Sequence, residues 1–176
     1  MGKIKPPAKV KLISGFIFKD ETVYERLKSL LEKRFGALDF QSVPLPFTYT
    51  DYYEKEFGTG LTRRFVSFKK LIPPEQLASV KVSTNRLETS FCRCSIRQIN
   101  IDPGYLSLSK LVLASTKDFF HRIYIGKGIH AELTLYYQHK AFKNLDWTYP
   151  DYRTQEYHAI FEQIREMYAK QLKELH

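Results

Sequence analysis

The segment Val10–Phe18, VKLISGFIF, constrains the fold more than any other part of this sequence. Its apolar stretch, nearly unbroken from Leu12 to Phe18, falls far short of the ~20 residues needed to span a bilayer. It also lacks the strict alternation of a half-exposed strand, so it fits a strand covered on both faces. Asp20 follows as a helix N-cap, Val23, Leu27, Leu30 and Leu31 recur at helical spacing, and Gly36 marks the stop. An interior strand feeding an amphipathic helix is the start of a layered fold.

The rest of the chain extends this pattern. Leu38 to Phe47 returns to strand character, with Pro44 and Pro46 pushing its end toward an edge or a loop. After a polar, aromatic stretch from Thr48 to Gly60, Arg63 to Phe68 reads as a strand. Pro73 and Pro74 then open a helix with Leu77, Val80, Thr84, Leu87 and Phe91 on one face. Ser95 to Ile101 alternates as a strand that closes at Asp102, Pro103 and Gly104. The order strand, helix, strand, strand, helix, strand is that of a split βαβ, or ferredoxin-like, unit, which places Val10–Phe18 inside the sheet with neighbours on both sides. Tyr105 to Ser115 is predicted helical, and a hairpin turns at Gly126 to Gly128. A closing helix carries the stripe Tyr157, Ile160, Phe161, Ile164, Met167, Tyr168, Leu172 and Leu175, capped by Asp151 or Thr154. The expected fold is one α+β domain over residues 1–176: a ferredoxin-like start extended by a β-hairpin and a long C-terminal helix.

Composition narrows the function classes. Lys plus Arg exceed Asp plus Glu by 28 − 19 = +9, with 43% hydrophobic and 15% aromatic residues, a globular balance whose basic excess keeps a nucleic-acid partner open. The Lys-rich segment Met1 to Lys11 has no signal-peptide core, and Pro6 breaks the myristoylation pattern after Gly2, so a cytoplasmic protein without a membrane partner is expected. Cys92 and Cys94 are too few and too close for a structural staple, and reduced thiols are expected. Thr116-Lys117-Asp118 lacks the spacing of a guanine-specificity motif, and no Gly-rich loop ends in Gly-Lys-Ser/Thr, which excludes a P-loop GTPase. There is no nucleophile elbow and no His-Glu-x-x-His helix. Asp51 with Glu54 has no convergent third ligand, so no metal site is assigned. No cofactor is indicated.

The hairpin admits two registers. A two-residue loop sets His121 against Glu132. A three-residue loop sets Arg122 against Glu132, Ile123 against Ala131, Ile125 against Ile129 and His121 against Leu133, assembling one apolar face. The second is preferred. It makes His121 a core residue and Arg122 with Glu132 either a site pair or a solvated cross-strand salt bridge contributing under about 1 kcal/mol.

From Asp102 to Glu132 charged side chains interrupt long apolar runs, and charges among core-forming residues need partners. This points to a pocket for a small phosphate- or carboxylate-bearing ligand, bound by Arg63, Lys110, Lys117 and Arg122 and walled by Tyr53 or Tyr149. If the protein is an enzyme, Asp102, Asp118 or Glu132 is its general acid or base. The aromatic and charged runs around Tyr52 and around Trp147 also suit base stacking, so an RNA- or DNA-binding module is the alternative.

The run Phe47-x-x-Thr50-Asp51-Tyr52-Tyr53-Glu54-x-Glu56-x-Gly58-x-Gly60-Leu61-x-Arg63-x-Phe65 carries a further signal. So do Asn100-x-Asp102-Pro103-Gly104-Tyr105-Leu106, Lys110 to Asp118, His121-Arg122-Ile123-Tyr124 and Trp147-Thr148-Tyr149-Pro150-Asp151-Tyr152. Together, and in this order, they resemble a bacterial family known as domain of unknown function 4416. The resemblance implies that these blocks are the family's signature and that nearly the whole chain is one unit. It carries no activity, cofactor or catalytic residue, and Cys92 and Cys94 lie outside its motifs.

Overall fold

A computed structural model describes residues 2–50, 52–94 and 96–174. The Asp51 and Glu54 pair, Ser95 and Leu175 named above lie outside what it describes. The elements run β1 (Val10–Phe18), α1 (Glu21–Phe35), β2 (Leu38–Gln41), β3 (Leu45–Phe47), α2 (Glu54–Phe57), β4 (Leu61–Ile72), α3 (Leu77–Ser90), β5 (Ile99–Leu106) and β6 (Lys110–Ser115). They continue with β7 (Arg122–Gly126), β8 (Ile129–Gln138), β9 (Ala141–Asn144) and α4 (Gln155–Glu174). The class is α+β. One antiparallel sheet holds the nine described strands in the order β2-β4-β1-β5-β6-β8-β7, with β3 beside β4 and β9 beside β8.

All nine residues of β1 are buried, and the strand is flanked by β4 on one side and β5 on the other. Its continuous apolar run is explained by cover on both faces. Tyr24, Leu27 and Leu31 of α1 and Val80 of α3 pack against Leu12, Phe16, Phe18 and Phe68 on one face. Tyr157, Phe161, Ile164 and Tyr168 of α4 cover Ile13, Phe65, Leu111 and Leu135 on the other. Asp20 caps α1 by accepting from the Thr22 N–H at 2.8 Å. Of the two candidates for the α4 cap it is Thr154, whose Oγ1 accepts from Tyr157 N–H at 3.3 Å; Asp151 belongs to the preceding turn. Pro44 separates β2 from β3, and β2 forms one edge of the sheet. Lys11 Nζ, fully buried, donates to Asp39, to the Phe68 carbonyl and to Gln171 of α4, tying the first strand to the last helix.

Two expectations fail along the middle of the chain. Tyr105 to Ser115 is not a helix: β5 extends through Leu106, a turn at Ser107 to Ser109 follows, and Lys110–Ser115 returns as β6. Leu111, Val112, Leu113 and Ala114 are all buried, so the strand is covered on both faces and shows no alternation. The strand expected at Ser95 to Ile101 instead begins at Ile99 and continues through Pro103 and Gly104.

Strands β5 and β6 form a fork. They pair only where Gly104, Tyr105 and Leu106 meet Leu113, Val112 and Leu111. Gly104 makes this closure possible, because a Cβ there would lie 2.4 Å from the Val112 carbonyl oxygen. Beyond it the first half of β5 faces no strand on its β6 side. Helix α3 supplies what the missing strand would: Lys81 Nζ donates to the Ile101 carbonyl at 2.9 Å, and Glu88 Oε1 accepts from the Ile101 N–H at 2.6 Å. By strand alternation Pro103, two residues on, turns its donor-free nitrogen to the same gap.

Candidate functional site

Directly paired residues of an antiparallel sheet share a face, so the ladders assign the side chains above the fork. One row runs Arg63, Ile17, Asn100, and the next Phe65, Gly15, Asp102. Across the fork the same face continues in the neighbouring row, from Gly104 through Leu113 and Glu132 to Arg122. A cavity of about 670 Å³ stands over these rows. Tyr52, Tyr53, Lys117 and Tyr149 border it, and Lys81, Asn85 and Glu88 reach it through the fork from one face of α3.

Arg63 occupies the centre at 1% exposure. Its Nη1 donates to Asp102 at 3.0 Å and its Nη2 to the Tyr152 hydroxyl at 2.6 Å, with Asp151 at 3.8 Å. The guanidinium lies over the rings of Phe65 and Tyr152, at 4.7 and 5.2 Å from their centroids. Gly15 leaves the room it needs, since a Cβ there would come within 3.0 Å of Nη2. Burial opposes the charge on Arg63, but the oxygens of Tyr152, Asp102 and Asp151 more than offset it and hold the guanidinium protonated. Burial raises the Asp151 carboxyl above the usual carboxylate range, with Arg63 opposing.

A second cluster surrounds Glu132, which is 1% exposed. Arg122 donates Nε to Glu132 at 2.8 Å, Nη1 to the Lys117 carbonyl at 3.1 Å and Nη2 to the Tyr149 hydroxyl at 2.6 Å. Burial and then Glu132 push the Tyr149 hydroxyl up to about 12, so it stays neutral. His121 Nε2 also meets Glu132, at 3.1 Å, and its ring stacks on Trp147. The backbone register is the one expected from the three-residue loop at Arg122 and Ile123, with a bulge that sets Gly126, not Ile125, against Ile129. The placement of His121 against Leu133 is corrected: its side chain turns to Glu132. The His121 side chain is buried as expected, but of the apolar face around it only the β8 side is covered, with Ile129 and Leu135 buried, while Phe119, Ile123 and Ile125 are exposed. Arg122 and Glu132 are accordingly no solvated surface pair.

The third cluster is Arg97, bidentate to Glu56 at 2.7 and 2.6 Å and close to Glu88 and Asn100. Burial raises the Glu88 carboxyl, with Lys81 opposing.

The cavity therefore brings together Tyr53, Arg63, Asp102, Lys117, Arg122, Glu132 and Tyr149. It does not include Lys110, which is exposed at the far end of β6 opposite Tyr136, or Asp118, whose side chain is 78% exposed beside His130. Lys110 begins β6 and Asp118 follows it, so both are near in sequence to the part of that strand that borders the cavity, without reaching the cavity themselves. Lys81, Glu88, Arg97 and Asp151 were missed. The available signal was in α3, where Lys81 and Glu88 share a flank beside the apolar stripe. Among the lining cations, the three arginines have carboxylate partners and Lys81 is bonded to a carbonyl. Among the described residues the Lys117 ammonium meets only Tyr52, 5.0 Å from its ring centroid and 3.4 Å from its hydroxyl. No cluster of His, Cys, Asp and Glu with metal-site geometry occurs among the described residues. Cys92 and Cys94 are exposed free thiols, and no described helix is long and apolar enough to cross a membrane.

These features define an α+β protein with a charged, tyrosine-walled cavity set over a fork in an antiparallel sheet. The chain belongs to the family described as domain of unknown function 4416, whose pattern matches residues 8–168. No curated protein and no solved structure matches it.

Proposed function

We propose that the cavity binds a small ligand bearing a phosphate or carboxylate group, with Lys117 and Arg122 as anion contacts and Tyr53 and Tyr149 as walls. The carrying observation is Lys117, an ammonium at the cavity border without a carboxylate neighbour among the described residues. Arg122 stands beside it, its guanidinium held by the Lys117 carbonyl. Arg63 acts in this reading as the fixed centre that orients Asp102 and Asp151. A general acid or base role falls to Asp102 or Glu132 and not to the outlying Asp118. The same reading treats the chain as one domain whose β1 to β5 portion is a ferredoxin-like unit, which the order β2-β4-β1-β5 supports.

Calorimetric titration with inorganic phosphate tests it. Loss of one charge-assisted contact corresponds to about 1.5–3 kcal/mol, so Lys117→Ala is expected to weaken phosphate binding about tenfold or more at unchanged thermal midpoint. A single-stranded oligonucleotide titrated across a salt series is the opposing arm. Tight oligonucleotide binding, a steep log-log slope near −0.7 per phosphate contacted, indifference to Lys117→Ala and no phosphate binding would replace the pocket with a nucleic-acid surface.

A further inference from the structure

The far edge of the sheet carries an apolar surface that the cavity does not use. Strand β7 pairs with β8 only, and although Arg122 and the bulge before Gly126 limit its length, its centre, Ile-Tyr-Ile, carries neither the Pro nor the Lys that usually blunts an edge. Ile123 is 73% exposed, Tyr124 62% and Phe120 81%, with Phe119 and Ile125 also exposed. At Tyr124 the outer backbone is open to a partner, while the outward N–H of Arg122 is already taken. Arg122 N–H is turned away from β8, donating to the Phe119 carbonyl, so by alternation the N–H and C=O of Tyr124 also face outward.

We infer that β7 is a self-association edge, joining a second copy of this chain antiparallel about a two-fold axis at Tyr124. The strand is self-complementary about that point. Tyr124 would exchange both backbone bonds with its counterpart in the other copy, and Ile123 of each copy would lie opposite Ile125 of the other. Because each aromatic side chain can bury 150–250 Å², the three exposed aromatics and two isoleucines offer roughly 600 Å² per copy. Two such surfaces reach about 1,200 Å², the lower end of specific interfaces. Isologous pairing also closes the edge, whereas an unpaired apolar strand invites open-ended association. This inference does not depend on the proposed ligand, although Arg122 belongs to both surfaces.

Light scattering on eluting protein gives the mass directly. The wild-type chain, 20.8 kDa as a monomer, is expected at twice that mass at micromolar concentration. Ile123→Lys places a charge opposite Ile125 of the other copy, and Tyr124→Pro removes the outward N–H at the axis. Each should weaken association at least a hundredfold with an unchanged circular dichroism spectrum. Hydrogen exchange of the wild type supplies a readout without substitution: Tyr124 amide protection should rise with protein concentration. A monomer at all concentrations up to about 500 µM, which would put Kd far above the micromolar value expected, overturns the inference. So does a dimer that survives Ile123→Lys, or one that forms without slowing Tyr124 exchange.

Discussion

The brace across the sheet fork is measurable through Glu88→Ala. In the folded chain this carboxylate accepts from the buried Ile101 N–H at 2.6 Å and lies 3.4 Å from Arg97. Truncation strands the N–H where no strand is available to accept it. A hydrogen bond to a charged partner contributes about 1.5–3 kcal/mol, and an orphaned buried donor costs about 1–3 kcal/mol. Arg97 keeps Glu56, so its loss is small. Against this stands the burial that raises the Glu88 carboxyl above its ordinary 4.5, which returns part of the cost when the anion is removed. The net expectation is about 2–3 kcal/mol, or a thermal midpoint lower by about 5–10 °C for a chain of this length. The pH dependence has a definite sign. A raised carboxyl stabilises the fold fully below its unfolded value and loses that contribution as pH rises through the folded value. The neutral acid also accepts through its carbonyl oxygen, so the penalty of Glu88→Ala should be largest near pH 4 and shrink toward pH 7. Urea unfolding of both proteins across that range is the assay. A penalty under about 0.5 kcal/mol at every pH, typical of ordinary surface changes, would refute the idea that α3 substitutes for a strand.

Gly104→Ala drives a Cβ to within 2.4 Å of the Val112 carbonyl and 2.8 Å of Leu113. Backbone must move, and a loss of about 2 kcal/mol or more in urea is expected; an unchanged midpoint would deny the close approach. Asp151→Asn removes a carboxyl whose folded value burial raises above 3.8. The stability difference, wild type minus variant, should therefore fall as pH rises from about 4, and a flat difference would contradict the placement.

Local patterns carried the parts of the fold that are local. Asp20, the leucines of α1 and Gly36 are a helix at any level of description, and the Arg122 to Glu132 register followed from matching strand faces. The failures share a physical origin in tertiary cover. Leu111 to Ala114 lost its alternation because both faces of β6 are buried, leaving periodicity nothing to distinguish. His121 was assigned by backbone facing, yet a long carboxylate on the neighbouring strand reached it. Asp102 and Tyr152 lie 39 and 89 residues along the chain from Arg63, to which both are hydrogen-bonded. The types of Arg63 and Asp102 raised the expectation of a pocket, whereas Lys81 and Glu88, although they share a helix flank, had nothing to complete until the fold opened a gap in the sheet.

The tie between β1 and α4 sets the timetable of folding. Lys11 and Gln171 are 160 residues apart, and Tyr168 reaches back to the Lys9 carbonyl across 159. At about 5–20 residues per second, a nascent chain exposes β1 for roughly 10–30 s before α4 has been made. Through that interval the Lys11 ammonium lacks one of its acceptors, and Ile13 and Phe65 lack the helix that covers them. The chain is thus committed to late closure: its first strand remains a sticky, unfinished surface until its last helix arrives, which makes synthesis the period of greatest exposure to aggregation and to chaperone capture.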